Sequence, residues 1–110
     1  MNMTNYQMQA HKTAQYNPDT QLTYVALGLA GEAGEVANKV KKVLRDWDGT
    51  AEDMADRRAA IIDELGDVLW YLAEMCTALD TTLDHVAGMN LLKLEYRALA
   101  NKIQGDGDNR

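Results

Sequence analysis

The 110-residue chain has one cysteine, one proline and no phenylalanine. A single cysteine excludes a framework of internal disulfides and fits a reducing cytoplasm. We interpret Cys76, on an apolar helical stripe, as a packed thiol. No apolar run approaches the length of a membrane span, and residues 1–5 lack the basic and apolar segments of a secretion signal. We therefore expect a soluble cytoplasmic protein with no membrane partner.

Basic residues are also scarce. Eleven Lys and Arg stand against 17 Asp and Glu, which gives a net charge of −6. A broad nucleic-acid surface needs clustered cations that displace counterions, so we expect no nucleic-acid polymer as a partner. A small anionic substrate is compatible with this charge if a metal ion and a few local cations outweigh the acidic background.

Turn-forming residues divide the chain into helical segments, and no segment shows the alternation of a strand. Pro18 and its polar neighbours stop the first helix, a loop at 47–50 separates the second from the third, and Thr81 or Thr82 caps the fourth. The predicted helices span about residues 4–16, 22–46, 52–79 and 83–103. The predicted fold is all-α and four-helix-bundle-like, with residues 1–104 as one domain and 105–110 as a flexible tail rich in Gly and Asp.

Two acidic couplets lie at the borders of the second and third helices: Glu32 with Glu35, and Glu64 with Asp67. Each pair is spaced i, i+3, which puts its carboxylates on neighbouring turns about 5–6 Å apart. Like charges at this spacing destabilise a helix, and a divalent cation removes the conflict. Carboxylate ligands suit Mg²⁺, with Mn²⁺ as the alternative, better than zinc. The couplets therefore predict a metal site between two antiparallel helices.

Cations and an amide follow on the fourth helix. Asn90 and Arg97 fall inside its apolar face and Lys93 lies on the margin. Arg makes bidentate phosphate contacts and Lys acts as a point charge, so these residues are candidate substrate ligands. Lys39, one turn after Glu35, is a further candidate for neutralising phosphate.

Apolar residues also occupy the far sides of the third and fourth helices, including Trp70, Leu92 and Tyr96. A monomeric bundle would leave them in water, so we expect a homodimer or homotetramer. A metal-free oligomerisation or regulatory module would explain these surfaces but would leave the acids without a purpose. A di-iron bundle would need Glu-x-x-His pairs, which the sequence lacks.

Two stretches carry a family resemblance: Ala26-Leu27-Gly28-Leu29-Ala30-Gly31-Glu32-Ala33-Gly34-Glu35-Val36, and Asp63-Glu64-Leu65-Gly66-Asp67-Val68-Leu69-Trp70-Tyr71. They resemble the MazG-like nucleoside triphosphate pyrophosphohydrolases of the all-α NTP pyrophosphatase superfamily. The superfamily pattern is Glu-x-x-Glu, a spacer, then Glu-x-x-Asp, and the spacer here has 28 residues. The later Asn90-x-x-Lys93-Leu94-x-x-Arg97 is similar to the phosphate-binding helix of the family.

The resemblance implies Mg²⁺-dependent hydrolysis of a nucleoside or deoxynucleoside triphosphate to the monophosphate and pyrophosphate. A phosphoribosyl-ATP pyrophosphohydrolase shares the pattern and stays open as an alternative. The implied metal ligands are Glu32, Glu35, Glu64 and Asp67, with Glu35 as the candidate general base. The implied substrate contacts are Lys93 and Arg97 to phosphate and Tyr71 to the sugar or base, with His11, Tyr16 and Asn90 as candidates for the base pocket and Asp108 and Arg110 for a flap.

Overall fold

The computed structural model describes residues 1–100, which form four α-helices and contain no strand. The helices are α1 (Met3–His11), α2 (Gln21–Asp46), α3 (Ala51–Ala78) and α4 (Leu83–Leu99), and a 3₁₀ turn (Pro18–Thr20) precedes α2. The all-α prediction is confirmed. The expected end of the last helix at 103, the domain limit at 104 and the tail at 105–110 lie outside the described residues.

Side-chain caps start three of the helices. The Asn2, Thr50 and Thr82 side chains each accept a backbone N–H three residues ahead, at 2.8, 3.1 and 3.0 Å. Each cap satisfies one of the N–H groups that a helix leaves without an internal partner. Of the two threonines considered before the fourth helix, Thr82 is therefore the cap.

The first helix is shorter than predicted, since it ends at His11 and not at Tyr16. The backbone N–H groups of Lys12 and Thr13 bond to carbonyls three residues back, and the Thr13 hydroxyl donates to the Ala10 carbonyl at 2.6 Å. Such i, i+3 bonds tighten the last turn, and the threonine side chain competes with continued helix formation. The chain after His11 is thereby free to carry Tyr16 towards α3.

The two long helices α2 and α3 form the main packed unit. Their contacts run in opposite sequence order, which makes the helices antiparallel: Gly28 with Tyr71, Lys39 with Glu64, and Asp46 with Arg57. Short connections favour this arrangement, and the loop between the helices has only four residues, 47–50. The predicted acidic borders of the two helices therefore face each other.

The fourth helix contacts two of the other three helices. Within residues 1–100, α4 contacts α1 and α3 but not α2. Its apolar side chains remain largely in solvent, with Leu91 65%, Leu92 61% and Leu99 84% exposed. Among residues 1–100, the buried apolar residues are few and small: Ala10, Val25, Ala73 and Cys76. A single chain thus buries little of its apolar surface.

Candidate functional site

Three carboxylates converge between α2 and α3. Glu32 comes from α2, and Glu64 and Asp67 come from α3. One oxygen from each lies within 4.8 Å of the others. Glu32 and Glu64 are partly buried and Asp67 is exposed, so the cluster opens to solvent on one side. This acidic cluster brings together three of the four predicted metal ligands.

The fourth predicted ligand, Glu35, does not join the acidic cluster. It lies on an exposed part of α2, one turn beyond Glu32. Its negative charge nevertheless contributes to raising the pKa of Glu32. The roles of Glu35 as ligand and general base stay predictions.

Lys39 supplies a cation to the acidic cluster. Its ammonium group lies 2.9 Å from Oε1 of Glu64. The other oxygen of that carboxylate, Oε2, is buried and has no hydrogen-bond partner among the described residues. Buried carboxylate oxygens normally find a donor or a cation. Glu64 is therefore only half satisfied, and its free oxygen is available to a metal ion.

The protonation of the cluster follows from its surroundings. Burial raises the pKa of Glu32, and the neighbouring Glu64 and Asp67 raise it further. The hydrogen bond from Lys39 outweighs burial and lowers the pKa of Glu64. The pKa values of Glu32 and Glu64 are therefore shifted in opposite directions by their different neighbours.

Four aromatic rings form an aromatic cluster: Tyr16, Tyr24, Trp70 and Tyr71. Tyr16 stacks on Tyr24 with ring centres 5.0 Å apart, and Trp70 meets Tyr71 edge-on at 4.9 Å. Edge-on contact at 6.4 Å joins Tyr16 to Trp70. The pKa of Tyr71 is raised by burial, by a hydrogen bond with Tyr24, and by the negative charges of Glu32 and Asp67. Tyr71 therefore lies between the aromatic cluster and the acids, and its role as a sugar or base contact stays a prediction.

The candidate substrate residues Asn90, Lys93 and Arg97 all lie on α4. Asn90 and Lys93 border a groove of about 630 Å³ whose described lining residues all belong to α4, between His85 and Tyr96. Arg97 is only 5% exposed and has an interaction partner. Within residues 1–100, α4 does not contact α2, which carries Glu32, and the substrate roles of these residues stay predictions.

The sequence analysis missed a buried carboxylate on α3. Glu74 is completely buried, accepts a hydrogen bond from the Tyr16 hydroxyl at 2.6 Å, and lies 3.1 Å from Nδ1 of His11. Seven residues separate it from Asp67, so both lie on one helix face. The seven-residue spacing from Asp67 was the sequence feature that could have identified Glu74. Its partners, however, come from the N-terminal segment, and no local pattern pairs them with α3.

Two further predictions can be compared with the structure: the packing of Cys76 and the lack of a membrane span. Cys76 is buried with a free thiol, and burial raises its pKa, which confirms its interpretation as a packed residue. None of the helices within residues 1–100 combines the length and apolar character needed to span a membrane.

Comparison with known proteins identifies the family. The model of the MazG nucleotide pyrophosphohydrolase domain matches residues 20–99, so the chain belongs to the MazG family. The chain is also 48% identical over 118 residues to the Gene 37 protein of Mycobacterium phage L5, with 100% of each chain covered. No solved structure gives a significant match.

Proposed function

We propose that the protein hydrolyses a nucleoside or deoxynucleoside triphosphate to the monophosphate and pyrophosphate, with Mg²⁺ as its cofactor and Mn²⁺ as the alternative. Family membership supports pyrophosphohydrolase activity in general. The observation that carries the proposal for this chain is the unsatisfied, buried Oε2 of Glu64 within a group of three carboxylates. Oxygen ligands in this number suit a hard divalent cation.

In this proposal Glu32, Glu64 and Asp67 would hold the ion, and Glu35, one turn further along α2, would be the fourth ligand. The ion, when bound, supplies a Lewis acid that neutralises charge on the phosphate oxygens. Glu35 accepts the proton of the attacking water, since it is exposed and is not committed to an ion pair in the described structure. Lys39, which pairs with Glu64 in the described structure, would supply a positive charge for a phosphate oxygen.

The nucleoside lies along the aromatic cluster in this proposal. Tyr71 adjoins both the acids and the other rings, so a triphosphate at the acids directs its sugar towards Tyr71. Aromatic rings offer stacking surfaces for bases. The proposed partner is therefore a small-molecule nucleotide. We propose no nucleic-acid polymer or membrane as a partner. The proposed location is the cytoplasm.

We also propose that the active form is a homodimer or homotetramer. The apolar side chains of α4 are exposed, and Asn90 and Lys93 lie on a helix that does not contact α2 in its own chain. A second copy that covers α4 buries these apolar residues. The same copy then brings the amide and the ammonium group of α4 to the acids of its neighbour.

A panel of ribo- and deoxynucleoside triphosphates with Mg²⁺ tests the reaction. We expect monophosphate and pyrophosphate as the products of at least one member, and no turnover after Mg²⁺ is removed with a chelator. Diphosphate plus phosphate would contradict the proposed cleavage position. Hydrolysis of phosphoribosyl-ATP alone would favour that alternative substrate. If the protein shows no turnover and Mg²⁺ does not raise its melting temperature, a non-catalytic module is favoured.

A further inference from the structure

The acidic cluster has a positively charged side chain of the same protein in direct contact with it. The ammonium group of Lys39, on α2, lies 2.9 Å from Oε1 of Glu64 on α3. The other oxygen of this carboxylate, Oε2, is buried and has no hydrogen-bond partner among the described residues. One oxygen of Glu64 therefore contacts Lys39, and the second is available to a metal ion.

The ion pair of Lys39 and Glu64 is largely removed from water. Its two side chains are 29% and 13% exposed, whereas those of the pair between Arg45 and Asp46, at the end of α2, are 60% and 40% exposed. Exposed ion pairs contribute little because water screens them, but removing one partner of a buried pair leaves a charge without compensation. The loss of Lys39 would therefore leave Glu64 uncompensated beside two further carboxylates.

Neighbouring cations favour this orientation of Lys39. Its side chain also lines a cleft of about 190 Å³ together with Lys42 and Arg57. A lysine that turned into the cleft would approach these two positive charges, and like charges repel each other. In the direction of α3, Lys39 meets the acidic cluster instead. Attraction on one side and repulsion on the other therefore favour the position of its ammonium group at the acids.

Lys39 and a divalent ion would interact with the same carboxylate. A positive charge close to the acids reduces the negative potential that attracts a second cation. Because Lys39 uses Oε1 and leaves Oε2 free, we expect it to weaken metal binding but not to prevent it. In metal-free protein the same ammonium group offsets the repulsion among the three carboxylates. One side chain thus has opposite effects on the metal-free protein and on metal affinity.

We propose that Lys39 is an internal counter-ion of the acidic cluster, which stabilises the cluster without metal and lowers its affinity for Mg²⁺ and Mn²⁺. The inference rests on the proposed function, because the metal site is a part of it. It adds a residue that regulates the metal affinity of that site, separately from any contact of Lys39 with phosphate.

Calorimetric titration with Mn²⁺ or Mg²⁺, without nucleotide, tests the effect on affinity. Lys39→Met keeps the apolar stem and removes the charge, so we expect its dissociation constant for the metal to be about tenfold lower than that of the parent. Lys42→Met is the matched control, because it removes the same charge from an exposed position of α2. At about 0.15 M salt, screening limits its effect, and we expect the parental affinity.

Thermal unfolding separates a counter-ion from an ordinary structural ion pair. With a chelator present, we expect Lys39→Met to melt at a lower temperature than the parent, because its carboxylates repel one another without compensation. Saturating Mg²⁺ should narrow this difference, since a ligand stabilises more strongly the protein that it binds more tightly. A structural ion pair would lower the melting temperature equally with and without metal and would leave the affinity unchanged, which would overturn the inference.

A second variant serves if Lys39→Met does not fold without metal. The amide of Lys39→Gln is still a hydrogen-bond donor for Glu64 but carries no charge. We expect the same tightening of metal binding in this variant, because the inference depends on the charge and not on the hydrogen bond. Parental affinity in Lys39→Gln would overturn it.

Metal binding is measured without turnover, so this inference and the proposed reaction fail separately. A parent that binds metal but hydrolyses no triphosphate contradicts the proposed reaction alone. Equal or weaker metal binding by Lys39→Met than by the parent overturns the counter-ion role, even if the parent is an active hydrolase. Failure of both proteins to bind either metal overturns it as well.

Discussion

Gly28 sets the distance between α2 and the Tyr71 ring. A Cβ atom built on Gly28 would overlap the Tyr71 ring, so only glycine fits at this point of the interface. Tyr71 adjoins both the acidic cluster and the aromatic cluster, so its position affects the arrangement of both. The glycine in Gly28-Leu29 therefore serves close packing and not chain flexibility.

Replacing Gly28 tests this packing. We expect Gly28→Ala to lower the free energy of unfolding by about 1–3 kcal/mol, the usual cost of forcing extra volume into a packed interface. Gly34→Ala is the matched control, because nothing lies within 4 Å of its added Cβ. There we expect a gain of about 0.5–1 kcal/mol from helix propensity. Urea unfolding without metal measures both, and an equal gain in the two variants would contradict the contact.

At the scale of single residues, the sequence predicted which acids converge but not all of the side chains that contact them. Glu32, Glu64 and Asp67 were predictable because i, i+3 spacing and the apolar stripes place them on facing borders. Lys39 was expected near phosphate, whereas in the structure it pairs with Glu64. Glu74 was missed because Tyr16 and His11 reach it across about 60 residues, and such long-range partners leave no local pattern.

At the scale of whole elements, Gln7 fastens α1 to the rest of the chain. Its amide nitrogen donates to the Thr77 hydroxyl at 3.1 Å and to the Thr81 carbonyl at 2.9 Å, and its oxygen accepts the Leu83 N–H at 2.9 Å. The side chain is almost fully buried. One residue of α1 thus supplies partners for the turn between α3 and α4.

Gln7→Leu tests this attachment. The substitution removes three hydrogen bonds and leaves backbone groups of the turn unsatisfied, so we expect a loss of about 2–4 kcal/mol in unfolding free energy. Gln9→Leu, two residues on at an exposed position, should change stability by about 0.5 kcal/mol or less. Similar losses in both variants would show that leucine weakens α1 itself and would refute the bonding role of Gln7.

Helix positions were predicted well where caps and turns are local. The bounds of α2 and α3 agree with the sequence analysis to within one residue, because the 3₁₀ turn at Pro18 and the Thr50 cap are set by neighbouring residues. The end of α1 was wrong because Thr13 stops the helix through its own hydroxyl. Apolar periodicity alone does not report that competition.

At the scale of the whole molecule, one chain leaves much apolar surface in water. Helical periodicity places Leu65, Leu72 and Val86 on the apolar faces of α3 and α4, yet they are 50%, 40% and 48% exposed. Periodicity shows that a face is apolar but not whether its own chain or another copy covers it. This is why the placement of α4 could not be predicted from the sequence.

Light scattering of the parent tests the proposed assembly. We expect a dimer or tetramer at micromolar concentration, and a shift to monomer in Leu92→Asp, because Leu92 is 61% exposed on α4 and a charge there disfavours burial in an interface. Circular dichroism checks that the variant keeps its helix content. A parent that scatters as a monomer would contradict the assembly.

In the proposed reaction, carboxylates of α2 and α3 act together on a triphosphate. The most direct test is to measure pyrophosphate release by the variants Glu64→Gln and Asp63→Asn. Glu64 lies in the acidic cluster, whereas its neighbour Asp63 is exposed and lies outside it. With Mg²⁺ and the best nucleotide of the panel, we predict a loss of about 100-fold or more for Glu64→Gln and parental activity for Asp63→Asn. Pyrophosphate release at the parental rate by Glu64→Gln would contradict the account.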